Sequence, residues 1–174
     1  SVDKKRGMGF FTVALDRGPA ASAKLKGAKT KPRDREHPLF GRSSRLRILI
    51  DEAQQVPVNA WGMLLNVISN RESEEHLKVF CAANPSDEYS QYGKNCKPVG
   101  GWSKIGPVQK TWMSETGWYI IRLNAMLSEN VQARCVIFPR MISYDKVQSI
   151  IRAAGGRDDA PEVYTQVYGM FPPQ

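Results

Sequence analysis

Leu46-Arg47-Ile48-Leu49-Ile50 is a short apolar run that stops abruptly at Asp51-Glu52. A run of this kind, with alternation lost, predicts a parallel strand buried on both faces. Beyond Val56-Pro57, apolar residues fall at Val58, Trp61, Leu64, Leu65 and Ile68. That spacing predicts a helix with one apolar face, and Pro57 is tolerated in its first turn because the N–H it lacks has no partner there. The polar stretch Ser69 to Glu75 closes the helix. A second apolar run, Leu77 to Ala83, stops at Asn84-Pro85. Strand, helix and strand with short connections make a βαβ unit, which demands a parallel pair and a right-handed crossover.

The flanks are less regular. The patch Met8 to Leu15 is a candidate short strand, and residues 16–45 are rich in Gly, Pro, Ser, Lys and Arg without periodicity, as in a long loop or arm. Residues 86–117 read as mostly loop, followed by a third strand at Trp118 to Leu123. Ser143 is placed to cap a helix carrying Tyr144, Val147, Ile150 and Ile151, which Gly155-Gly156 would end. A last helical stretch is expected from about Pro161 to Tyr168. The chain thus divides into a basic arm over residues 1–45, an α/β core over 46–140 and a helical segment over 141–174.

Composition narrows the class. With 174 residues and an apolar share of 41%, the chain has enough to build a core. Its apolar runs are far shorter than a membrane span. The start, Ser1-Val2-Asp3-Lys4-Lys5-Arg6, has no apolar segment behind its charges, so it reads as an interior or processed start rather than a secretory leader. Cys81, Cys96 and Cys135 are widely spaced, and neither His37 nor His76 lies near one of them. Neither a zinc site nor a disulfide framework is expected, and a reducing intracellular setting follows. The net charge of +8 is unevenly placed: residues 1–47 hold 13 Lys/Arg against 4 Asp/Glu, and the remainder holds 12 against 13. Cations clustered in this way favour a polyanionic partner, although a solvated basic loop has the same composition.

The strand ends carry the candidate chemistry. An apolar strand that ends in Asp-Glu has the Walker B pattern of P-loop ATPases. Asp51, at the carboxyl end, is suited to hold Mg²⁺ through its water shell. Glu52, one residue further, is suited to polarise a water for in-line attack on a terminal phosphate. Ligands of open α/β sheets bind at this rim. Asn84 closes the next strand, where an amide would sense the phosphate or the attacking water; as a turn former before Pro85 it has an equally ordinary reading. No GxxxxGK[ST] occurs, and Gly27-Ala28-Lys29-Thr30 lacks its spacing. Without a phosphate cradle the chain by itself is expected to bind ATP weakly or not at all.

Leu49 through Pro57, with Trp61, resembles the Walker B region of terminase large subunits, the motors that pump DNA into phage capsids. Lys24-Leu25-Lys26-Gly27 is similar to a segment that such proteins carry ahead of that strand, and Cys81 through Pro85 stands at their coupling motif. Pro98 with Gly101-Trp102, Ser128-Glu129-Asn130, and Ile142 through Pro172 resemble elements that follow in the same order. The resemblance runs from about residue 24 to the end. It implies a partial P-loop NTPase fold of the RecA/ASCE type, a parallel sheet with flanking helices and long loops. It also implies ATP hydrolysis with Mg²⁺, with Asp51 on the metal, Glu52 catalytic and Asn84 coupling. Double-stranded DNA, a portal, a small terminase subunit and a homo-oligomeric ring are the implied partners, no membrane is involved, and the host cytoplasm is the implied setting. The family's Walker A portion and nuclease are not in these residues, and Arg45, Arg47 and Arg71 are weak candidates for its arginine finger. Two rival readings stand beside it: an AAA+ or helicase-like ATPase, from Asp51-Glu52-Ala53-Gln54, and a non-enzymatic basic nucleic-acid-binding module.

Overall fold

The computed structural model describes residues 2–3, 8–9, 46–69 and 77–173. Contacts divide the chain into a unit over residues 1–82 and another over 83–174. The architecture is mixed α/β, with small parallel and antiparallel sheets.

In the first unit, β1 (Val2–Asp3) and β2 (Met8–Gly9) form an antiparallel pair. The remainder of the expected strand at Met8–Leu15, the arm over 16–45, Lys24-Leu25-Lys26-Gly27, Arg45 and Arg71 lie outside the described residues. β3 (Leu46–Ile50) and β4 (Leu77–Cys81) pair in parallel, with Ile48 opposite Val79 and Leu49 opposite Phe80. Between them runs α1 (Val58–Ser69). Pro57 stands just ahead of α1, and its carbonyl accepts the N–H groups of Ala60 and Trp61 at 3.0 and 3.2 Å. The strand–helix–strand order expected of a βαβ unit is therefore present. The buried residues are Ile50, Ala53, Ala60, Trp61, Leu64 and Leu77, and a large apolar side chain among them contributes roughly 1.5–3 kcal/mol by leaving water.

Two expectations here need correcting. The parallel strands are not covered on both faces: Leu49 and Phe80, partners in register, are 79% and 58% exposed. Their face also carries the exposed Arg47 and Lys78. Loss of alternation in a sequence signals cover on both sides only where elements lie on both sides, and no described residue covers this one. On α1, Val58 and Leu65 are exposed while Ala60 is buried. Two strands at roughly 4.8 Å spacing make a narrow floor, so the buried strip of α1 is narrower than its apolar face.

The second unit is built on small helices and a hairpin. Residues 86–117, expected to be mostly loop, contain α2 (Gln91–Cys96), a 3₁₀ turn at Trp102–Lys104 and β5 (Thr111–Met113). Ser90 caps α2 by accepting the Gly93 N–H at 3.0 Å. The expected third strand is β6 (Tyr119–Ile121), which pairs antiparallel with β5 rather than joining the parallel pair. The cause is local. Ser114 N–H reaches Trp118 O at 2.8 Å across a three-residue loop, and Gly117 supplies the left-handed φ of 82° that such a loop requires. β6 is thereby committed to its nearest neighbour in the chain.

After a 3₁₀ turn at Ala125–Leu127 come α3 (Glu129–Ala133), α4 (Tyr144–Ala153) and α5 (Pro161–Val163), the last continued by a π-helical turn at Tyr164–Tyr168. Ser143 caps α4 as expected, accepting Lys146 N–H at 3.2 Å, and left-handed Gly155 and Gly156 end it. Val131, Val147, Ala160, Val163 and Val167 form the core, with Ile142, Tyr144, Ile150 and Tyr168 packed around them. No helix of the described residues is long and apolar enough to cross a membrane.

Candidate functional site

Asp51 and Glu52 leave β3 at its carboxyl end, and both are exposed. The turn that carries them is clamped by the backbone that follows β4. Ala82 N–H donates to Ile50 O at 2.8 Å, and Ala53 N–H donates to Ala82 O at 3.0 Å, so the parallel ladder grips the backbone on either side of the two acids. Ala53 is fully buried beneath them. Between these anchors the chain has one residue too many for an extended path, and Glu52 takes up the slack in the left-handed region at φ 51°, ψ 45°. For a residue with a Cβ that conformation costs roughly 1–2 kcal/mol. Strain of this sort persists only where the surroundings over-determine it.

The side chains are tied as well. Glu52 N–H donates to Asp51 Oδ1 at 3.0 Å, and Gln54 Nε2 donates to Glu52 Oε2. Each carboxylate therefore has one oxygen engaged within the turn. Gln54 is a contributor that the strand-end pattern did not single out; an amide two residues after the acid was the signal available. Asn84 follows Ala82 by two residues, is exposed, and belongs to the second unit. Arg47 lies on β3, exposed, opposite Lys78. Among the described residues there is no group of three or more His, Cys, Asp or Glu arranged to hold a metal ion. The two hard carboxylate oxygen donors of Asp51 and Glu52 are nevertheless of the type that a magnesium ion takes when it keeps most of its waters.

Several motifs far apart in sequence meet in the second unit. Trp102 packs on Phe171, ring centroids 5.0 Å apart, and edge-on against Trp112 at 6.3 Å. Tyr92 completes the group at 6.2 Å from Phe171, and Trp112 Nε1 donates to Cys96 O at 2.8 Å. The Gly101-Trp102 and Met170-Phe171 elements are thus one aromatic cluster. Arg122 is buried nearby, its Nε donating to Tyr168 O at 2.8 Å and its Nη1 to Gly106 O at 3.3 Å, and burial holds its pKa below the usual arginine value. Gly169, at φ 59°, lies so close to Leu123 that an added Cβ would stand 2.4 Å from the Leu123 carbonyl oxygen.

Asn130, third in Ser128-Glu129-Asn130, is fully buried. Its Oδ1 accepts the N–H groups of Ile137 and Phe138, both at 2.8 Å, and its Nδ2 donates to Phe138 O at 2.8 Å and Met141 O at 3.3 Å. It is the organiser of the loop over residues 134–141. Cys81, Cys96 and Cys135 are in no disulfide, and burial pushes Cys96 up to about 11 against a smaller opposing effect of a Tyr92 hydrogen bond.

No protein-family model, curated protein or solved structure matches the chain.

Proposed function

We propose that the chain is the Walker B portion of a P-loop-type ATPase motor, with a DNA-packaging terminase large subunit as the class its ordered motifs resemble. One observation carries the reading. Two consecutive carboxylates are exposed at the carboxyl end of a parallel strand, on a turn clamped by the adjoining strand and strained at Glu52. A strand end that needed only to meet solvent would have no use for a left-handed glutamate held on both sides.

In this reading Asp51 would hold the metal through the oxygen not engaged by Glu52 N–H, and Glu52, steadied by Gln54, would accept a proton from the attacking water. Mg²⁺, when bound with ATP, would neutralise phosphate charge in the transition state. In this reading the phosphate cradle would have to come from outside these residues. Asn84 is assigned to coupling, and double-stranded DNA, a portal, a small subunit, a ring of copies and the host cytoplasm follow from the same resemblance.

The test is Glu52→Gln in a chain that also supplies a phosphate-binding loop. Hydrolysis should fall by at least a hundredfold while ATP stays bound. Turnover within threefold of the parent would end the ATPase reading. The unbalanced charge of residues 1–47 supports a second reading, a basic nucleic-acid-binding module. Under it Glu52→Gln changes nothing, while neutralising the arm abolishes DNA binding.

A further inference from the structure

Among the described residues, no strand pairs with the outer edge of β6. In the hairpin, Ser114 N–H reaches Trp118 O and Arg122 N–H reaches Lys110 O, at 2.8 and 2.7 Å. Hydrogen-bonded pairs alternate along an antiparallel ladder, so the Trp112–Ile120 pair faces inward and the N–H and C=O groups of Tyr119 and Ile121 face outward. The other edge behaves accordingly: the outward carbonyl of Met113 takes Val99 N–H at 3.4 Å. No described residue bonds the outward groups of Tyr119 or Ile121. The side chains on that strand are also uncovered. Tyr119 is 62% exposed, Ile121 59%, their cross-strand neighbour Met113 50%, and Leu123, just past the strand, 83%.

Unpaired apolar edges are templates for another strand, and proteins that keep them monomeric shorten the edge or place lysine, proline or a bulge there. β6 is short, at three residues, but carries no lysine, proline or bulge. We infer that β6 is a self-pairing edge whose occupant is β6 of a second copy of this chain, running antiparallel about Ile120. The register that centres on Ile120 is complementary to itself. It sets Tyr119 against Ile121 of the second copy, and Ile121 against its Tyr119. Both are pairs whose backbone groups point outward, so four hydrogen bonds form at once. The side-chain match is an aromatic on a β-branched residue, one of the favourable cross-strand pairs. Thr111, Met113, Tyr119, Ile121 and Leu123 carry no charge, so the net charge of +8 is not concentrated where the copies meet.

Size sets the strength. With roughly 200 Å² for a large side chain, the exposed shares of Met113, Tyr119, Ile121 and Leu123 come to about 500 Å² per copy. A stable interface buries about 800 Å² per partner. The pair is therefore a weak, concentration-dependent dimer. Its contact is isologous, so it closes at two copies and is distinct from the ring implied by the family resemblance.

The experiment uses the 174-residue chain itself in sedimentation velocity over a wide concentration series. The weight-average mass should climb toward twice the monomer mass and should not shift between low and high salt. Ile121→Pro removes the outward N–H while leaving the bonds to β5, and Tyr119→Lys places a charge on the edge; each should hold the chain at monomer mass with its tryptophan emission unchanged. Independently, in a Cys135→Ser background, Ile120→Cys should yield a 120–120 disulfide on mild oxidation, since directly opposed, non-hydrogen-bonded residues lie within disulfide reach. A mass that stays monomeric throughout overturns the inference. So does a dimer that survives Ile121→Pro, one that dissolves in salt, or the absence of the 120–120 link. A monomer whose Tyr119 and Ile121 amides resist hydrogen exchange would give the edge to a strand of the same chain, which also overturns it.

Discussion

At the scale of single residues, Glu52 carries a local cost in its backbone, held at φ 51°, ψ 45°. The left-handed backbone disfavours any side chain there, while glycine adopts it freely at the expense of a more disordered unfolded chain. Glu52→Gly should therefore be as stable as the parent or up to about 1 kcal/mol more stable, whereas Glu52→Ala keeps the strain. Urea unfolding distinguishes them; a glycine variant clearly less stable than the alanine one would remove strain from the account. Cys96 makes a second prediction. Its buried thiol ionises near 11 rather than at the ordinary 9.0, so the folded state favours the neutral form. The stability this represents is complete below pH 9, where neither state ionises, and is lost as pH rises from about 9 to about 11, where only the unfolded chain sheds its proton. The loss is on the order of 2–3 kcal/mol. Unfolding measured at pH 8 and pH 11 should show it in the parent, and Cys96→Ala should remove that component.

Among elements, the loop over residues 134–141 owes its shape to one buried amide. Four backbone bonds to Asn130 hold it, while Val136, Ile137, Phe138 and Met141 remain exposed. Apolar contact cannot be what orders those residues, so Asn130→Ala should cost roughly 2–4 kcal/mol by removing four part-buried hydrogen bonds. The second unit should then melt lower by about 10 °C or more. A shift under about 3 °C would show that the loop is held some other way. Asn130→Asp keeps the acceptor for Ile137 and Phe138 but sets a carboxylate against two carbonyls, and is expected to be nearly as damaging. Arg122 plays a similar part for the chain around Gly106 and Tyr168, a cation satisfied by carbonyl dipoles rather than by a carboxylate.

For the whole molecule, charge and fold are separate matters. The excess of cations lies in residues 1–47, while the rest is almost balanced. Binding to double-stranded DNA through that segment should weaken steeply with salt, by roughly tenfold or more between 50 and 200 mM if several phosphates are neutralised. Fluorescence anisotropy with a labelled duplex reads this, and a salt-independent affinity would remove the electrostatic basis.

What the sequence determined alone is whatever depends on neighbours in the chain. β3 stops at Ile50 because charge begins at Asp51, α4 starts at Ser143 because a hydroxyl caps it, and it ends at Gly155-Gly156 because those residues accept left-handed backbone. The acidic pair was legible for the same reason. Tertiary structure decided the rest. Whether Leu49 and Phe80 are covered depends on what lies over the sheet, which no period along the strand encodes. That Trp102 meets Phe171, that Asn130 is buried by a loop beyond it, and that Gln54 and a strained Glu52 make one braced turn all follow from distant backbone being brought close. β6 joined β5 because a three-residue loop closes faster and at less entropic cost than a return to β3. That choice left its outer edge without a partner among the described residues, and no pattern of apolar residues in the sequence distinguishes an open edge from a paired one.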